Sequence, residues 1–134
     1  SLGGDDERNV YNINADTLAE ALAVALRAQK LIFLTGAPGV LRSAADPSTL
    51  VTFADPDDLA ALLASGAIAG GMRPKVEACI RAATSGVERT HIIDGRAADS
   101  LLYEVFTGAG CGTMIVGRKQ KDTYLGVDLA DTPA

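Results

Sequence analysis

Lys75 has a setting suited to chemistry, because it lies near the start of a predicted helix and directly behind a pair of glycines. The glycines are Gly70 and Gly71, and Pro74 favours the first helical turn, where its missing N–H is not needed. A helix start offers free backbone N–H groups and the positive end of the helix dipole. Together with the Lys75 ammonium group, these groups suit a phosphate. The alternative is a solvated lysine at an ordinary helix start.

Taken one by one, the other polar residues can be explained by ordinary structural roles. Asn14 is a candidate N-cap, Asp16 falls in the first turn of the helix that follows, and Asn12 is a loop residue. His91 lies in an apolar run, where a satisfied core histidine is the usual outcome. These residues therefore need a wider pattern before a function can be assigned to them.

The two cysteines do not indicate a metal site. Cys79 and Cys111 are 32 positions apart with no CxxC spacing, and with a single histidine they make no convincing zinc site. We interpret both as structural, reduced thiols of a cytoplasmic protein, and we predict no metal ligands in the chain.

Composition bounds the class of protein. The 134 residues suffice for one domain, with 48% hydrophobic and 22% charged residues. A net charge of −5 and a pI near 4.7 argue against a nucleic-acid-binding face. No apolar run approaches the roughly 20 residues of a membrane span, and no signal peptide is visible. The chain begins without methionine, which we interpret as a sign of a fragment or of a processed or trimmed chain.

Hydrophobic patterning predicts alternating strands and helices. Strands are predicted at residues 30–35, 50–53, 88–94 and 113–116, the first of them buried on both faces. Helices are predicted at residues 15–28, 56–65, 73–85 and 98–106. The first helix carries one apolar face, made of Leu18, Ala21, Leu22, Ala25 and Leu26. The last helix is expected to direct four apolar residues inward, Leu101, Leu102, Val105 and Phe106.

This alternation indicates an α/β fold with a mainly parallel sheet and helices on both faces. Ligands of such sheets bind beyond the carboxyl ends of the strands. The turns at Gly36 and Gly95 follow two of these ends. We divide the chain into a loop or hairpin arm at residues 1–9, a body at 10–117 and a C-terminal tail at 118–134.

Five motifs occur in an order and spacing that resemble a known family. They are YNINAD, LIFLTGAPGVL, GGMRPKVEA, HIIDGR and GTMIV, and together they span residues 10–117. In this order they resemble the C-terminal, nucleotide-binding half of the N-acetylglutamate kinases, which have the amino acid kinase (carbamate kinase-like) fold. One such motif is weak; five in order are specific.

The resemblance implies transfer of the ATP γ-phosphoryl group to the side-chain carboxylate of N-acetyl-L-glutamate, in arginine biosynthesis. It implies that Asp16 orients the active-site lysines and that Lys75 offsets charge on the transferred group. Asn12 and Asn14 would bind the acylated amino acid. The segments around the adenine and ribose would include Thr35, Gly36, Ala37, Gly39, Ile68, Gly71 and Met72.

The chemistry of this reaction agrees with the residue types present. Phosphoryl transfer requires positioning and charge neutralisation more than covalent help. A carboxylate attacker is already ionised at neutral pH, so no general base is needed. Mg²⁺ is expected between the β- and γ-phosphates, held mainly by them.

The resemblance also implies partners and a regulator. The family's N-terminal half, with a first-strand lysine, glycine loops and most of the substrate pocket, is not in this sequence. We therefore expect the chain alone not to turn over, to need that half in the same or a separate chain, and to form a homo-oligomer when complete. Arginine-inhibited relatives bind arginine near this segment, which makes His91, Glu104 and Gly110 candidates for an arginine site.

One departure from the family pattern leaves other functions open. Gly36 stands where the family usually has an acidic residue, which would weaken or change nucleotide contacts. The alternatives are a related acyl-amino-acid kinase of the aminoadipate type, and a non-catalytic nucleotide-binding or regulatory fragment.

Overall fold

The fold is described by a computed structural model that covers residues 1–107 and 110–117 of the 134-residue chain. The predicted tail and two residues of the predicted glycine loop lie outside the described residues. The strands are β1 (Leu2–Gly4), β2 (Val10–Asn12), β3 (Lys30–Thr35), β4 (Phe53–Ala54), β5 (Arg89–Asp94) and β6 (Gly112–Val116). The helices are α1 (Ala15–Ala25), α2 (Pro56–Ala64), α3 (Met72–Thr84) and α4 (Ser100–Phe106), with a 3₁₀ turn at Pro47–Thr49.

The central sheet has the strand order β3-β5-β6-β4. β3 pairs with β5 in parallel, and β6 pairs with β4 in parallel, but β5 and β6 run antiparallel. The α/β fold is therefore confirmed, and its sheet is mixed at the centre. Helix α4 lies in the connection between β5 and β6, and β6 runs in the direction opposite to β5.

Helices cover both faces of this sheet, as predicted. Phe33 is paired with Ile92, and Ile92 with Thr113, so their side chains share one face. The main core on that face joins strand residues to α1, α2 and α3, and includes Val76, Cys79 and Leu59. His91 precedes Ile92 and points to the opposite face, where Glu104 of α4 meets it.

Local sequence signals explain where the helices begin and end. The Asn14 side chain caps α1, and Asp55 forms a reciprocal capping box with Asp58 at the start of α2. α2 and α3 are followed by Gly66 and Gly86, with φ values of +77° and +103° that favour glycine. Among the described residues, no helix is both long enough and apolar enough to span a membrane.

A separate two-stranded hairpin, β1 and β2, precedes α1. Its turn is held by Asp5, whose carboxylate accepts hydrogen bonds from the Asn9 side chain, the Asn9 and Glu7 backbone N–H groups, and the Tyr11 hydroxyl. These bonds, the Asn9 side chain first, lower the pKa of Asp5 to about 2. The hairpin joins residues on both sides of the predicted boundary at residue 9.

Two expectations about apolar faces are wrong, those for α4 and β3. The residues of α4 predicted to face inward are 42–79% exposed, while Ser100 and Glu104 are buried instead. The apolar face of α1 also points outward, with Leu22 51% exposed, and Ala23 is the buried residue. β3 is not buried on both faces, because it is an edge strand whose Leu34 is half exposed. Periodicity identifies an apolar face, but it does not tell what covers that face.

Candidate active site

Lys75 and Asp16 are in direct contact, although 59 positions separate them in the chain. The Lys75 Nζ donates to both carboxylate oxygens of Asp16, at 3.1 Å to Oδ1 and 3.0 Å to Oδ2. The two side chains are 24% and 16% exposed, so the pair is sheltered but still reachable from solvent. A carboxylate holds this ammonium group in place, and an anionic ligand can reach it from solvent.

The start of α1 positions Asp16. The Asn14 Oδ1 accepts hydrogen bonds from the backbone N–H of Asp16, at 2.9 Å, and of Thr17, at 3.3 Å. The cap fixes the first turn of α1 and with it the backbone of Asp16. It occupies the amide oxygen of Asn14 and leaves its amide nitrogen for a ligand. Asn12 lies two residues earlier, exposed at the end of β2.

The start of α3 positions Lys75. The helix begins at Met72, so Pro74 lies in the first turn as predicted, and Lys75 follows it. The N-cap residue Gly71 provides no side-chain cap. The Arg73 N–H bonds to the Gly70 carbonyl at 3.2 Å and Pro74 has no N–H, so the Met72 N–H is the first-turn group left for a ligand. Gly70 has φ +57°, a conformation that favours glycine, and a Cβ atom there or at Gly71 would meet nothing within 4 Å. The loop is therefore open directly in front of the helix start.

The two helix starts lie at the same edge of the sheet as the carboxyl end of β3. α1 leads directly into β3 and α3 leads directly into β5, so each helix runs antiparallel to its strand and begins at the strand's carboxyl end. Because β3 and β5 are parallel, these ends coincide. This is the edge at which α/β sheets bind ligands.

The turn after β3 is closed by Thr35. Its Oγ1 accepts from the Ala37 N–H at 2.9 Å and donates to the Ala37 carbonyl at 3.0 Å, while the Thr35 carbonyl accepts from the Gly95 N–H. Gly36 is exposed, and a Cβ there would meet nothing within 4 Å. The position therefore has room for the larger residue that the family usually carries.

Thr113 on β6 holds the next part of this loop, a contact that sequence patterns do not reveal. The buried Thr113 Oγ1 accepts from the Val40 N–H at 2.8 Å, across 73 positions of sequence. A Cβ atom at Gly39, whose φ is +153°, would lie 2.7 Å from this Oγ1 and 2.8 Å from Leu50 Cδ1. Only a glycine allows the loop to approach Thr113 this closely. A pairing between a loop and a distant strand leaves no periodic signal in the sequence.

The remaining predicted nucleotide residues occupy different environments. Ile68 is 4% exposed and belongs to the main core, so only its backbone is available to a ligand. Met72 is partly buried as the first residue of α3 and packs against the same core. The described residues contain no group of three or more His, Cys, Asp or Glu side chains that could hold a metal ion.

His91 and Glu104 form a second polar group on the other face of the sheet. The His91 Nδ1 lies 2.5 Å from Glu104 Oε1, and both side chains are at most 5% exposed. The other oxygen of Glu104 accepts from the Cys111 N–H at 2.8 Å. The Cys111 thiol lies 3.2 Å from the Ser100 carbonyl, and Gly110 is the exposed residue just before it.

Burial and charge oppose one another in this polar group. Burial lowers the pKa of His91 below its ordinary value, against the attraction of Glu104. Burial alone would raise the pKa of Glu104, but the Cys111 N–H and His91 outweigh it, so the pKa of Glu104 is lowered. The pair is therefore a neutral imidazole beside an ionised carboxylate near neutral pH.

Comparison with known proteins gives consistent matches. Residues 2–94 match the amino acid kinase family. The acetylglutamate kinase of Synechococcus sp. (strain RCC307) is 49% identical over 121 residues, which cover 90% of this chain and 41% of that protein. The acetylglutamate kinase of Myxococcus xanthus (strain DK1622) is 52% identical, with 86% and 37% covered. This chain spans about two-fifths of the length of the curated relatives it matches.

Solved structures show the same fold. The N-acetylglutamate synthase from Neisseria gonorrhoeae complexed with coenzyme A and N-acetyl-glutamate has a TM-score of 0.76 at 30% identity, covering 86% of this chain and 26% of that chain. It has also been solved with coenzyme A and L-arginine. Carbamate kinase from Giardia lamblia bound to AMP-PNP has a TM-score of 0.65 at 22% identity, covering 87% and 37%, which is a likeness of fold.

Proposed function

The chain belongs to the amino acid kinase family, and on that premise we propose that it forms the ATP-binding half of an acetylglutamate kinase. The complete enzyme would transfer the γ-phosphoryl group of ATP to the side-chain carboxylate of N-acetyl-L-glutamate. The observation that carries this proposal is the contact of Lys75 with Asp16 at the edge where two helices begin. The acetylglutamate kinases named above support the choice of substrate.

The proposed mechanism relies on positioned charge. Lys75 approaches the transferred phosphoryl group and offsets the negative charge that is spread over its oxygens. Asp16 holds the Lys75 ammonium group in place through both of its oxygens. Asn12 and the free amide nitrogen of Asn14 bind the acylated amino acid. The substrate carboxylate attacks as the anion that it already is at neutral pH, so no residue needs to remove a proton.

The nucleotide would lie along the open edge of the sheet. Its adenine and ribose contact the turn formed by Thr35, Gly36, Ala37 and Gly39, and the loop of Ile68, Gly71 and Met72. Its phosphates meet the start of α3, with the Met72 N–H and the positive end of the helix dipole. When bound, Mg²⁺ would neutralise the β- and γ-phosphates. The Asp16 carboxylate is already engaged by Lys75, which agrees with an ion held mainly by the phosphates.

We also propose a regulatory role for the other face of the sheet. His91 and Glu104 are in contact there, and Gly110 lies next to Cys111, to which Glu104 is bonded. A carboxylate is the group that a guanidinium binds best, but both oxygens of the buried Glu104 are engaged, so arginine would reach this carboxylate only when the pair opens. The solved complex of the related synthase with L-arginine supports arginine as the ligand, and the position at these residues is our proposal.

The rest of the subunit is part of the proposal. The curated relatives are more than twice as long as this chain, because 121 matched residues make up only 41% of one of them. We propose that residues 10–117 supply the nucleotide side, that the N-terminal half supplies most of the substrate pocket, and that the complete enzyme is a homo-oligomer. A cytoplasmic location is supported by two free cysteines, Cys79 and Cys111.

The proposal is tested in a complete subunit, made by replacing the matched part of the Synechococcus RCC307 enzyme with this chain. Lys75→Ala should lower kcat by about 10²–10³-fold, as expected for removal of a positioned charge. Arg81→Ala is the matched control, because Arg81 also links α3 to an acid of α1, Glu20, at 2.8 Å. The control should keep kcat within about twofold, since Arg81 lies six residues beyond Lys75 on α3, away from the helix start, and its side chain is 47% exposed.

Two results would contradict the proposed role of Lys75. The first is equal kcat in the Lys75→Ala and Arg81→Ala enzymes. The second is unchanged calorimetric affinity for Mg·ATP and unchanged kcat after Lys75→Ala.

A further inference from the structure

The β1–β2 hairpin carries Asn12, a proposed substrate residue, and the apolar side chains of its strands are exposed. β1 and β2 form a two-stranded sheet of their own, and Leu2, Val10 and Tyr11 are 79%, 73% and 51% exposed. A two-stranded hairpin without a packed face is marginally stable in water. The position of Asn12 therefore depends on the hydrogen bonds that the hairpin makes within itself.

One side chain joins the turn of the hairpin to the strand that carries Asn12. The Asp5 Oδ1 accepts from the backbone N–H groups of Glu7, at 3.0 Å, and Asn9, at 2.9 Å. Its Oδ2 accepts from the Asn9 side chain at 2.9 Å and from the Tyr11 hydroxyl at 2.8 Å. Tyr11 immediately precedes Asn12 in β2, so the carboxylate of Asp5 holds both the turn and the strand.

The turn needs such an anchor, because its backbone adopts an unfavourable conformation. Arg8 has a φ of +67°, in the left-handed region that is costly for a residue with a side chain. The Arg8 N–H donates to the Asp5 carbonyl at 3.0 Å. The Asn9 side chain first, with the other donors, lowers the pKa of Asp5 to about 2, so its carboxylate is ionised at neutral pH. Hydrogen bonds to an ionised acceptor are about twice as strong as those between neutral groups.

We propose that Asp5 is a positioning residue for the acylated amino acid, because it keeps the hairpin ordered and thereby holds Asn12 in place. Asn12 pairs with Leu2 at the end of the hairpin away from the turn, so Asp5 acts through Tyr11 and the pairing of the strands. The apparent affinity for the substrate falls in proportion to the fraction of molecules in which the hairpin is ordered. This inference rests on the proposed function for the role of Asn12.

The test compares Asp5→Ala with Asp6→Ala in the complete subunit defined above. Asp5→Ala should raise the KM and the calorimetric Kd for N-acetyl-L-glutamate about fivefold, which corresponds to a hairpin ordered in about one-fifth of the molecules. The kcat and the KM for ATP should stay unchanged, since the substitution lies outside the nucleotide loops. Asp6→Ala removes the same charge from the next exposed position of the same turn and should leave every constant unchanged.

The conservative variant Asp5→Asn keeps an acceptor for the turn N–H groups and should give a KM for N-acetyl-L-glutamate between those of the parent and Asp5→Ala. Equal KM values for N-acetyl-L-glutamate in the Asp5→Ala and Asp6→Ala enzymes would overturn the proposal.

A second variant tests the bond to the strand alone, with a readout that needs no turnover. Tyr11→Phe removes only the hydroxyl and should raise the KM for N-acetyl-L-glutamate about twofold. The Ile13 N–H, which donates to the Ser1 carbonyl at 2.7 Å, should exchange with solvent faster in Asp5→Ala and Tyr11→Phe, while amides of α3 keep their rates. Unchanged exchange at Ile13 in Asp5→Ala would contradict the anchoring role.

Failure of this inference can be told from failure of the proposed function. A parent subunit that does not phosphorylate N-acetyl-L-glutamate contradicts the proposed function. An active parent subunit whose KM for N-acetyl-L-glutamate is unaffected by Asp5→Ala overturns the role of Asp5 alone.

Discussion

Two polar pairs lie on opposite faces of the sheet, and they differ in their exposure to solvent. Lys75 and Asp16 keep 24% and 16% of their side chains in solvent and lie where two helices begin. His91 and Glu104 keep 3% and 5%, and lie between β5 and α4. The first pair is open to a ligand at the binding edge, while the second is closed within the fold.

The difference in exposure predicts different effects when each pair is broken. Breaking an accessible ion pair changes stability little, because water takes the place of the lost partner. Breaking a buried pair leaves a charge or a polar group without a partner and destabilises the fold. The open pair should therefore appear in kinetics and the closed pair in stability. The following substitutions test this difference between the two pairs.

The largest effect is expected from Asp16→Ala in the complete subunit. Without the carboxylate, the Lys75 ammonium group is no longer held toward the phosphoryl group, and kcat should fall about 10²-fold. The free energy of unfolding, measured by urea denaturation, should change by less than about 1 kcal/mol. Glu20→Ala, one turn further along α1, is the control that should leave kcat unchanged. A loss of stability with normal kcat would reverse the assignment.

Glu104→Gln should show the opposite pattern. The substitution removes a buried negative charge that accepts from the Cys111 N–H and faces His91, and should destabilise the subunit by about 2–3 kcal/mol. The kcat for phosphoryl transfer without arginine should change by less than about threefold. Glu88→Gln, at an exposed position, should be neutral in both measurements. Unchanged stability of Glu104→Gln would show that the closed pair is not structural.

Thr113→Val tests the link between the sheet and the nucleotide turn. It removes the acceptor of the Val40 N–H and should destabilise the subunit by about 1–2 kcal/mol. The KM for ATP should rise several-fold with kcat nearly constant, and Thr113→Ser should restore it. Thr90→Val is the control, because Thr90 is also buried but lies near the start of β5, where its side chain contacts Cys79 and not the nucleotide turn. An equal rise in the KM for ATP in both valine variants would contradict the proposed link between Thr113 and the nucleotide turn.

The smallest effect is a dependence of stability on pH from the closed pair. The folded-state pKa of His91 is lowered, so the unfolded chain binds the extra proton first and stability falls as pH drops below the unfolded pKa of about 6.5. The lowered pKa of Glu104 acts in the same direction below about pH 4.5. The slope between pH 7 and 5 should stay under about 1.4 kcal/mol per unit, and His91→Gln should flatten it. Urea midpoints across this range provide the measurement.

Much of the fold could be predicted because it depends on local signals. The capping residues Asn14 and Asp55, the proline of α3 and the glycines at positions 66 and 86 mark helix ends through backbone geometry that neighbours in sequence create. The paired roles of Asp16 and Lys75 came from the order of several motifs, and the structure brings the two residues together. Their proposed catalytic roles stay predictions.

Tertiary structure alone decided which apolar face is covered, how β6 runs, and what holds the nucleotide turn. Periodicity places Leu18 and Leu22 of α1, or Leu101 and Phe106 of α4, on one side of a helix, but burial depends on what packs there. The Thr113 bond to Val40 joins positions 73 residues apart, and such contacts arise only when strands meet in a sheet. Helix caps and turns depend on neighbours in sequence and can be predicted from them. The burial of a helix face and contacts between distant residues depend on how the elements pack, so only the tertiary structure shows them.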